Sequence, residues 1–195
     1  LISVNPFKKI ENLYKNIDNS INLDIPHIYS IAEIAYRSVE KQNQSILVSG
    51  ESGSGKTENT KYILKYLSYN YADNDSTAQK IIYSNHIIEM LGNSKTLRND
   101  NSSRFGKFIK LYISGNKIIG ANIENYLLEK SRITVFNKSE RSYHIFYALQ
   151  NSKLTKYKFR DNYRLLTNTD NSIIDEFKDI NIFLESLLKF NFTEK

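Results

Sequence analysis

Three of the seven glycines fall within six residues, at Gly50, Gly53 and Gly55, and the next two residues are Lys56 and Thr57. The resulting GESGSGKT satisfies G-x-x-x-x-G-K-[ST], and its context fits the same pattern. Before it, the short apolar run SILVS (Ser45–Ser49) reads as a buried strand. After it, Thr60, Ile63, Leu64, Leu67 and Tyr71 recur at helical spacing, so Thr57–Tyr71 reads as a helix. A strand, a glycine loop and a helix in that order point to an α/β chain. Glycine opens backbone conformations closed to other residues. Successive N–H groups from Glu51 through Ser52, Gly53, Ser54 and Gly55 to Thr57 can therefore turn inward around the oxygens of a polyphosphate. The following helix adds its positive N-terminal end. Lys56 is placed to bridge β- and γ-phosphates, and the Thr57 hydroxyl is the expected Mg²⁺ ligand. The competing reading is a glycine-rich turn with a surface lysine.

Periodicity organises the rest. The only prolines, Pro6 and Pro26, mark the first stretch as turns. His27–Gln42 reads as a helix with Ile28, Ile31, Ala32, Ala35 and Val39 on one stripe. Asn70–Ser76 (NYADNDS) reads as an exposed loop. Ala78, Ile81, Ile82, Ile88 and Leu91 form another helix, ended by Gly92 as a C-cap residue. Asn85 shares that stripe, which a plain apolar core does not explain. Phe105–Ser114 and Lys117–Tyr126 are strand-like runs joined by Gly115 and Asn116, a two-residue hairpin signal. Tyr143–Leu149 and Ile173–Leu188 read as helices.

About 40 residues after the glycine loop lies NDNSSRFGKF, Asn99–Phe108, where short polar side chains precede Arg104 as the chain passes from a helix toward the hairpin. Such a segment suits a loop that orders around a γ-phosphate and Mg²⁺. On spacing alone it is equally well a polar linker.

Composition excludes several classes. There is no cysteine, so disulfides, thiolate metal sites and cysteine nucleophiles are out, and three scattered histidines do not make a zinc site. No apolar run reaches the ~18–20 residues of a membrane span, and no leader pattern opens the chain. The expectation is a cytoplasmic protein without a membrane span. A net charge of +6 and a pI near 9.2 permit an acidic partner, but the 27 Lys and Arg are interspersed with 21 Asp and Glu. No nucleic-acid-binding signature emerges, so none is expected to bind. His27, His86 and His144 read as core-edge or solvated side chains, and Glu51 and Glu58 as surface or loop-bracing ones. The chain opens on Leu1, has its only methionine at Met90, and closes on FNFTEK without a Gly or Pro stop. It reads as a piece of a longer chain.

GESGSGKTENTK (Gly50–Lys61) and NDNSSRFGKF together resemble the P-loop and switch I of the myosin motor domain. VNPFKKI, AYRS (Ala35–Ser38), QSILVSGES, GNSKT (Gly92–Thr96), LLEKSRITVF and ERSYHIFY (within Leu127–Tyr147) resemble its N-terminal part in the same order. Kinesins are the competing motor family, sharing an N-x-x-S-S-R switch. Their P-loop usually reads GQTGSGKT and their switch continues with Ser-His after the arginine. Here Glu51, Ser52 and Phe105-Gly106-Lys107 stand instead.

The resemblance implies an α/β P-loop NTPase of the myosin/kinesin type, with a partial central sheet flanked by helices. It implies an adenine-side segment and helix over 1–44, the P-loop strand and helix over 45–71, loop, helix, switch I and hairpin over 72–126, and a helical region over 127–195. Asn5 and Pro6 would lie beside the adenine, with Tyr14 as the nearby tyrosine, although FKKIENLY stands where the family has FKRxPxY. Asn99 would contact phosphate, Ser102 would hydrogen-bond the γ-phosphate and orient water, and Ser103 would supply the second Mg²⁺ ligand. Lys56, Ser102 and Arg104 would carry catalysis, Arg104 by pairing with a switch II glutamate in D-x-x-G-F-E. No such motif occurs in the 195 residues. The expectation is that the chain stops before switch II and, taken alone, hydrolyses ATP at most slowly. The implied ligands are ATP and Mg²⁺. The implied partners are actin filaments, mostly through parts outside this segment, and light chains through a neck, within a cytoskeletal myosin complex. The alternatives are a truncated, hydrolysis-deficient nucleotide-binding module and a kinesin-like motor.

Overall fold

The computed structural model describes residues 1–8, 10–15, 17–18, 21–151 and 180–192. It divides into two units, Leu1–Ile82 with Lys110–Asn122, and Tyr83–Ile109 with Ile123–Lys195. Among the described residues no helix is long and apolar enough to cross a membrane.

The first unit is built on α1 (Ile28–Ser38) and α2 (Lys56–Tyr71). His27 starts α1 by accepting the Tyr29 N–H on Nδ1 at 3.1 Å, satisfying one of the amides that a helix start leaves without an internal partner. The helix ends at Ser38, short of the expected Gln42, in turn bonds from Lys41 and Gln42 back to the Ser38 carbonyl. Of the expected stripe only Ala32 is buried. Tyr29, Ser30, Ala32 and Glu33 are buried, whereas Ile28, Ile31, Ala35 and Val39 are only half-buried. The reason is polar: Glu33 Oε2 accepts the hydroxyls of Tyr66 at 2.9 Å and Tyr71 at 2.6 Å, and Oε1 accepts Arg37 Nε at 2.6 Å. Ring pairs flank this carboxylate, with Tyr29 on Tyr66 at 4.9 Å and Tyr36 on Tyr71 at 3.6 Å between centroids. The aromatic payload of α2 thereby carries the carboxylate inside.

The expected loop at Asn70–Ser76 shrinks to Ala72–Asn74. Asn70 and Tyr71 remain helical because their side chains are engaged, Asn70 Nδ2 donating to the Ile17 and Tyr66 carbonyls and Tyr71 to Glu33. The next helix, α3 (Asp75–Gly92), opens with an acidic residue and with Asn74 Oδ1 accepting the Thr77 N–H at 2.9 Å. The hairpin forms as read, from strands over Gly106–Ser114 and Lys117–Tyr126. Gly115 and Asn116 both hold positive φ, 54° and 58°, as a two-residue turn of this kind demands. Its tip belongs to the first unit, where the Asn116 carbonyl accepts Tyr36 OH and the Ile118 carbonyl accepts the Asp73 N–H.

Ser45–Ser49 is not a buried strand. It joins no ladder among the described residues, and Leu47 is 90 % exposed. Apolar content makes a run compatible with a strand, but only pairing with a neighbour makes it one. For the same reason the expected partial central sheet does not form among the described residues. The strands make two separate two-stranded sheets.

In the second unit β1 (Asn93–Ser94) pairs antiparallel with β2 (Ser102–Ser103), Asn93 opposite Ser103 and Ser94 opposite Ser102. Ser94 also bridges Tyr143, and the Arg141 N–H donates to the Lys95 carbonyl at 3.0 Å. A 3₁₀ turn (Lys130–Ile133), α4 (His144–Asn151) and α5 (Ile180–Lys189) complete it. The expected helix over Ile173–Leu188 is thus present from Ile180, and 173–179 lie outside the described residues.

Candidate functional site: a glycine loop and a polar turn

The glycine loop runs directly into α2. Gly55 is the N-cap residue with φ +94°, a left-handed conformation that disfavours residues bearing a Cβ, and no side chain caps this helix. The start of this 16-residue helix, whose first-turn amides have no intrahelical acceptor, is the positive end of its dipole. Ser54 N–H closes a turn on the Glu51 carbonyl. Lys56 folds back over the loop, its ammonium donating to the carbonyls of Gly50 at 2.6 Å and Glu51 at 2.7 Å. Thr57 follows in the first turn. Donors at a helix start, a cation above them and a hydroxyl beside it form a set suited to a magnesium polyphosphate.

The structure brings the adenine-side candidates to this loop. Asn5 Nδ2 donates to the Gly53 carbonyl at 2.8 Å, while Asn5 Oδ1 accepts the Phe7 N–H. Asn5, Pro6 and Tyr14 line a cavity of about 830 Å³ together with Ser54 and Gly55. Tyr14 stacks on Tyr62 of α2, 3.6 Å between centroids and 12° from parallel. The sequence reading missed Tyr62, yet a signal was present: it lies four residues before Tyr66, so the two share one face of α2. Burial raises the Tyr14 pKa and the charge of Glu58 raises it further, so the phenol is a neutral hydrogen-bonding group at neutral pH.

In the second unit the polar segment is a closed turn. The Thr96 N–H and Oγ1 both donate to the Asn99 carbonyl, and the Asn99 N–H returns to Thr96 Oγ1 at 3.2 Å. Asn99 Oδ1 accepts the Asn101 N–H at 2.9 Å, so the amide of Asn99 spends its acceptor on the turn and keeps its NH₂ as a donor. Asn101 Oδ1 accepts Asn93 Nδ2 at 2.8 Å and lies 3.2 Å from His144 Nε2. Burial, and secondarily the charge of Arg141, pushes the His144 pKa down to about 4. His144 is therefore a buried neutral ring that steadies the turn, deeper than the expected core-edge position. Ser102 is buried and Ser103 is exposed.

Arg104 is paired within this unit. Its Nε pairs with Glu129 Oε2 at 2.5 Å and its Nη1 donates to Ser102 Oγ at 3.3 Å. This carboxylate lies 25 residues on, and the switch II glutamate expected for Arg104 belongs to a motif that does not occur in these residues. Gly92 is more than a helix end: a Cβ there would lie 2.5 Å from the Phe105 ring, and its carbonyl accepts the Arg104 N–H. The puzzling Asn85 is also accounted for, because it is buried and its Oδ1 accepts Lys107 Nζ at 2.9 Å.

The sequence model of the family described as Myosin head (motor domain) matches residues 1–193. The chain belongs to the myosin head family. Myosin-1 of Saccharomyces cerevisiae is 41 % identical over 233 aligned positions, covering 98 % of this chain. Unconventional myosin-VI of Homo sapiens is 45 % identical over 158, and myosin heavy chain 95F of Drosophila melanogaster 48 % over 158, each covering 76 % of this chain. The chain spans only about an eighth of these relatives, 12 % of myosin-1 and myosin-VI and 13 % of 95F. As part of a myosin head it belongs to a P-loop NTPase fold of the α/β class.

Proposed function

We propose that this myosin head segment binds Mg-ATP and serves an actin-based motor that couples ATP hydrolysis to movement on actin filaments. The observation that carries the reading is the start of α2 after Gly55 in the left-handed conformation, where GESGSGKT delivers Lys56 and Thr57 to the first helical turn. Backbone amides from Glu51 to Thr57 and the Lys56 ammonium would hold the phosphates. Lys56 already has acceptors in the loop carbonyls, and it would exchange them for phosphate oxygens. Thr57 and Ser103 carry the metal-ligand roles, and bound Mg²⁺ would neutralise charge on the phosphates. Asn5, Pro6 and Tyr14 would take the adenine side. Asn99 and Ser102 carry the phosphate-sensing roles, and Arg104 the role of the switch I arginine.

The test is titration of the 195-residue chain with a fluorescent ATP analogue and Mg²⁺. Lys56→Ala should weaken binding by roughly tenfold or more, since it removes a charge-assisted contact to phosphate. Unchanged affinity in a folded Lys56→Ala chain would refute the reading. Single-turnover hydrolysis measures the hydrolysis-deficient alternative, which the absence of D-x-x-G-F-E from these residues favours for the isolated segment. Stimulation of the motor by microtubules instead of actin would favour the kinesin-like alternative.

A further inference from the structure

The LLEKSR stretch at Leu127–Arg132 carried the family resemblance without receiving a task. Its glutamate touches Arg104 twice. The Glu129 N–H donates to the Arg104 carbonyl at 3.0 Å, and Oε2 takes the Arg104 Nε. The same carboxylate is held from behind, Oε2 by Arg132 Nε at 2.8 Å and Oε1 by Arg132 Nη2 at 3.3 Å. Arg132 is almost fully buried, and its Nη1 reaches Glu140 Oε2 and the Arg141 carbonyl, both at 3.2 Å. Glu140 Oε1 in turn accepts the Leu97 N–H at 3.4 Å, and the Glu129 carbonyl accepts Tyr143 OH at 2.6 Å.

Four alternating charges, Glu140, Arg132, Glu129 and Arg104, thus run from one end of the polar turn, at Leu97, to the other, at Arg104 and Ser102. We propose that Glu129 is the positioning residue of Arg104: its charge, anchored by Arg132, fixes the guanidinium by its Nε edge and so holds the Asn99–Arg104 turn in its folded form. The guanidinium is planar and gives its donors in a rigid fork, so fixing Nε and Nη1 fixes the direction of the three remaining N–H donors. Glu129 does not itself touch nucleotide. It acts through Arg104, and its function in the site rests on the switch I role proposed above. The carboxylate is suited to permanent ionisation. Burial alone would raise its pKa, but hydrogen bonds from Arg132 and then Arg104, with their charges, hold it below the ordinary value.

The test is Glu129→Gln in the 195-residue chain, which keeps the size and one acceptor oxygen but loses the charge. Two readouts are taken: the ¹⁵N-detected Nε–H resonance of Arg104, and the release rate of a fluorescent ATP analogue with Mg²⁺. The expected result is loss of hydrogen-exchange protection of the Arg104 Nε–H, together with release about fivefold faster, the scale of one partly exposed ion pair. Where Glu129→Gln fails to fold, Glu140→Gln, one step removed, should produce the same changes at smaller amplitude. An Arg104 resonance unchanged in the folded variant would overturn the inference. So would unchanged release in a chain whose binding Lys56→Ala weakens. A wild-type chain that binds no Mg-ATP overturns the functional reading, and with it the part of Glu129 in the site.

Discussion

Each unit contains one carboxylate that gathers its neighbours, and the two are solvated in opposite ways. Glu33 is 1 % exposed and is met by two phenols, while its one cation, Arg37, is 57 % exposed. Glu129 is 31 % exposed and is met by two arginines, of which Arg132 is only 5 % exposed. A buried charge needs donors more than it needs a counter-ion in contact, and phenol dipoles from the same helix supply them without burying a second charge. That arrangement suits the join between α1 and α2, which carries the glycine loop. Two guanidiniums on a half-open carboxylate hold a turn by charge and remain responsive to solvent and salt.

The sharpest way to break this comparison is to remove the buried cation. Arg132→Ala would leave Glu129 and Glu140 without their shared partner, and the expected loss is about 4 kcal/mol, in the range for breaking a buried pair from one side. Urea unfolding checks it, and a loss under ~1 kcal/mol would mean that the network is ornamental to stability.

Next in size is the response to pH, where the two units should fail at opposite ends. His144 binds its proton only near pH 4 when folded but near 6.5 when unfolded. Its stabilising effect is therefore complete above pH 6.5 and declines as pH falls toward 4, by about 3 kcal/mol in all. The urea midpoint of the wild type should fall across that window, and that of His144→Gln should be flatter. In the first unit, burial pushes the Tyr29 phenol up to about 12, with smaller contributions from Tyr62 and Tyr14. Burial, and then the hydrogen bonds to Glu33, raises Tyr66 and Tyr71 as well. These phenols support folding below pH 10, and that support is lost as pH rises beyond it. An absorbance titration should show them ionising together with loss of helical circular dichroism. Independent ionisation at ordinary pKa would contradict the buried hub.

The smallest effect is expected where the first hub meets solvent. Arg37→Ala should lower the urea midpoint only slightly, because the phenols keep Glu33 Oε2 satisfied and Oε1 alone loses its donor, an exposed guanidinium. A loss as large as that of Arg132→Ala would make the two hubs alike.

The start of α2 after Gly55, the end of α3 at Gly92 and the hairpin turn at Gly115 and Asn116 were legible because glycine position and local period determine them. The glycine loop was legible for the same reason, whereas the polar turn, on spacing alone, was equally well a linker. What sequence could not show was partnership. SILVS has the composition of a strand but no ladder among the described residues. Glu33 reads as a solvated helix residue until Tyr66 and Tyr71, more than thirty residues on, are known to point at it. Arg104 announces a need for a carboxylate, and nothing in the spacing nominates Glu129 over a more distant one. The Asn99, Ser102 and Ser103 assignments rest on family likeness, because an exposed serine and a buried one look identical in a string of letters.

The contact between Gly92 and Phe105 restricts how this part of the chain can change through descent. An aromatic ring occupies the space of the missing side chain, so position 92 cannot change first: a side chain at 92 must arrive with, or after, a smaller residue at 105. Each single step in the wrong order places an atom 2.5 Å from a ring carbon and costs overpacking strain at the root of Arg104. Related chains should therefore keep the glycine wherever they keep the ring, so that the aromatic residue dictates what position 92 can inherit.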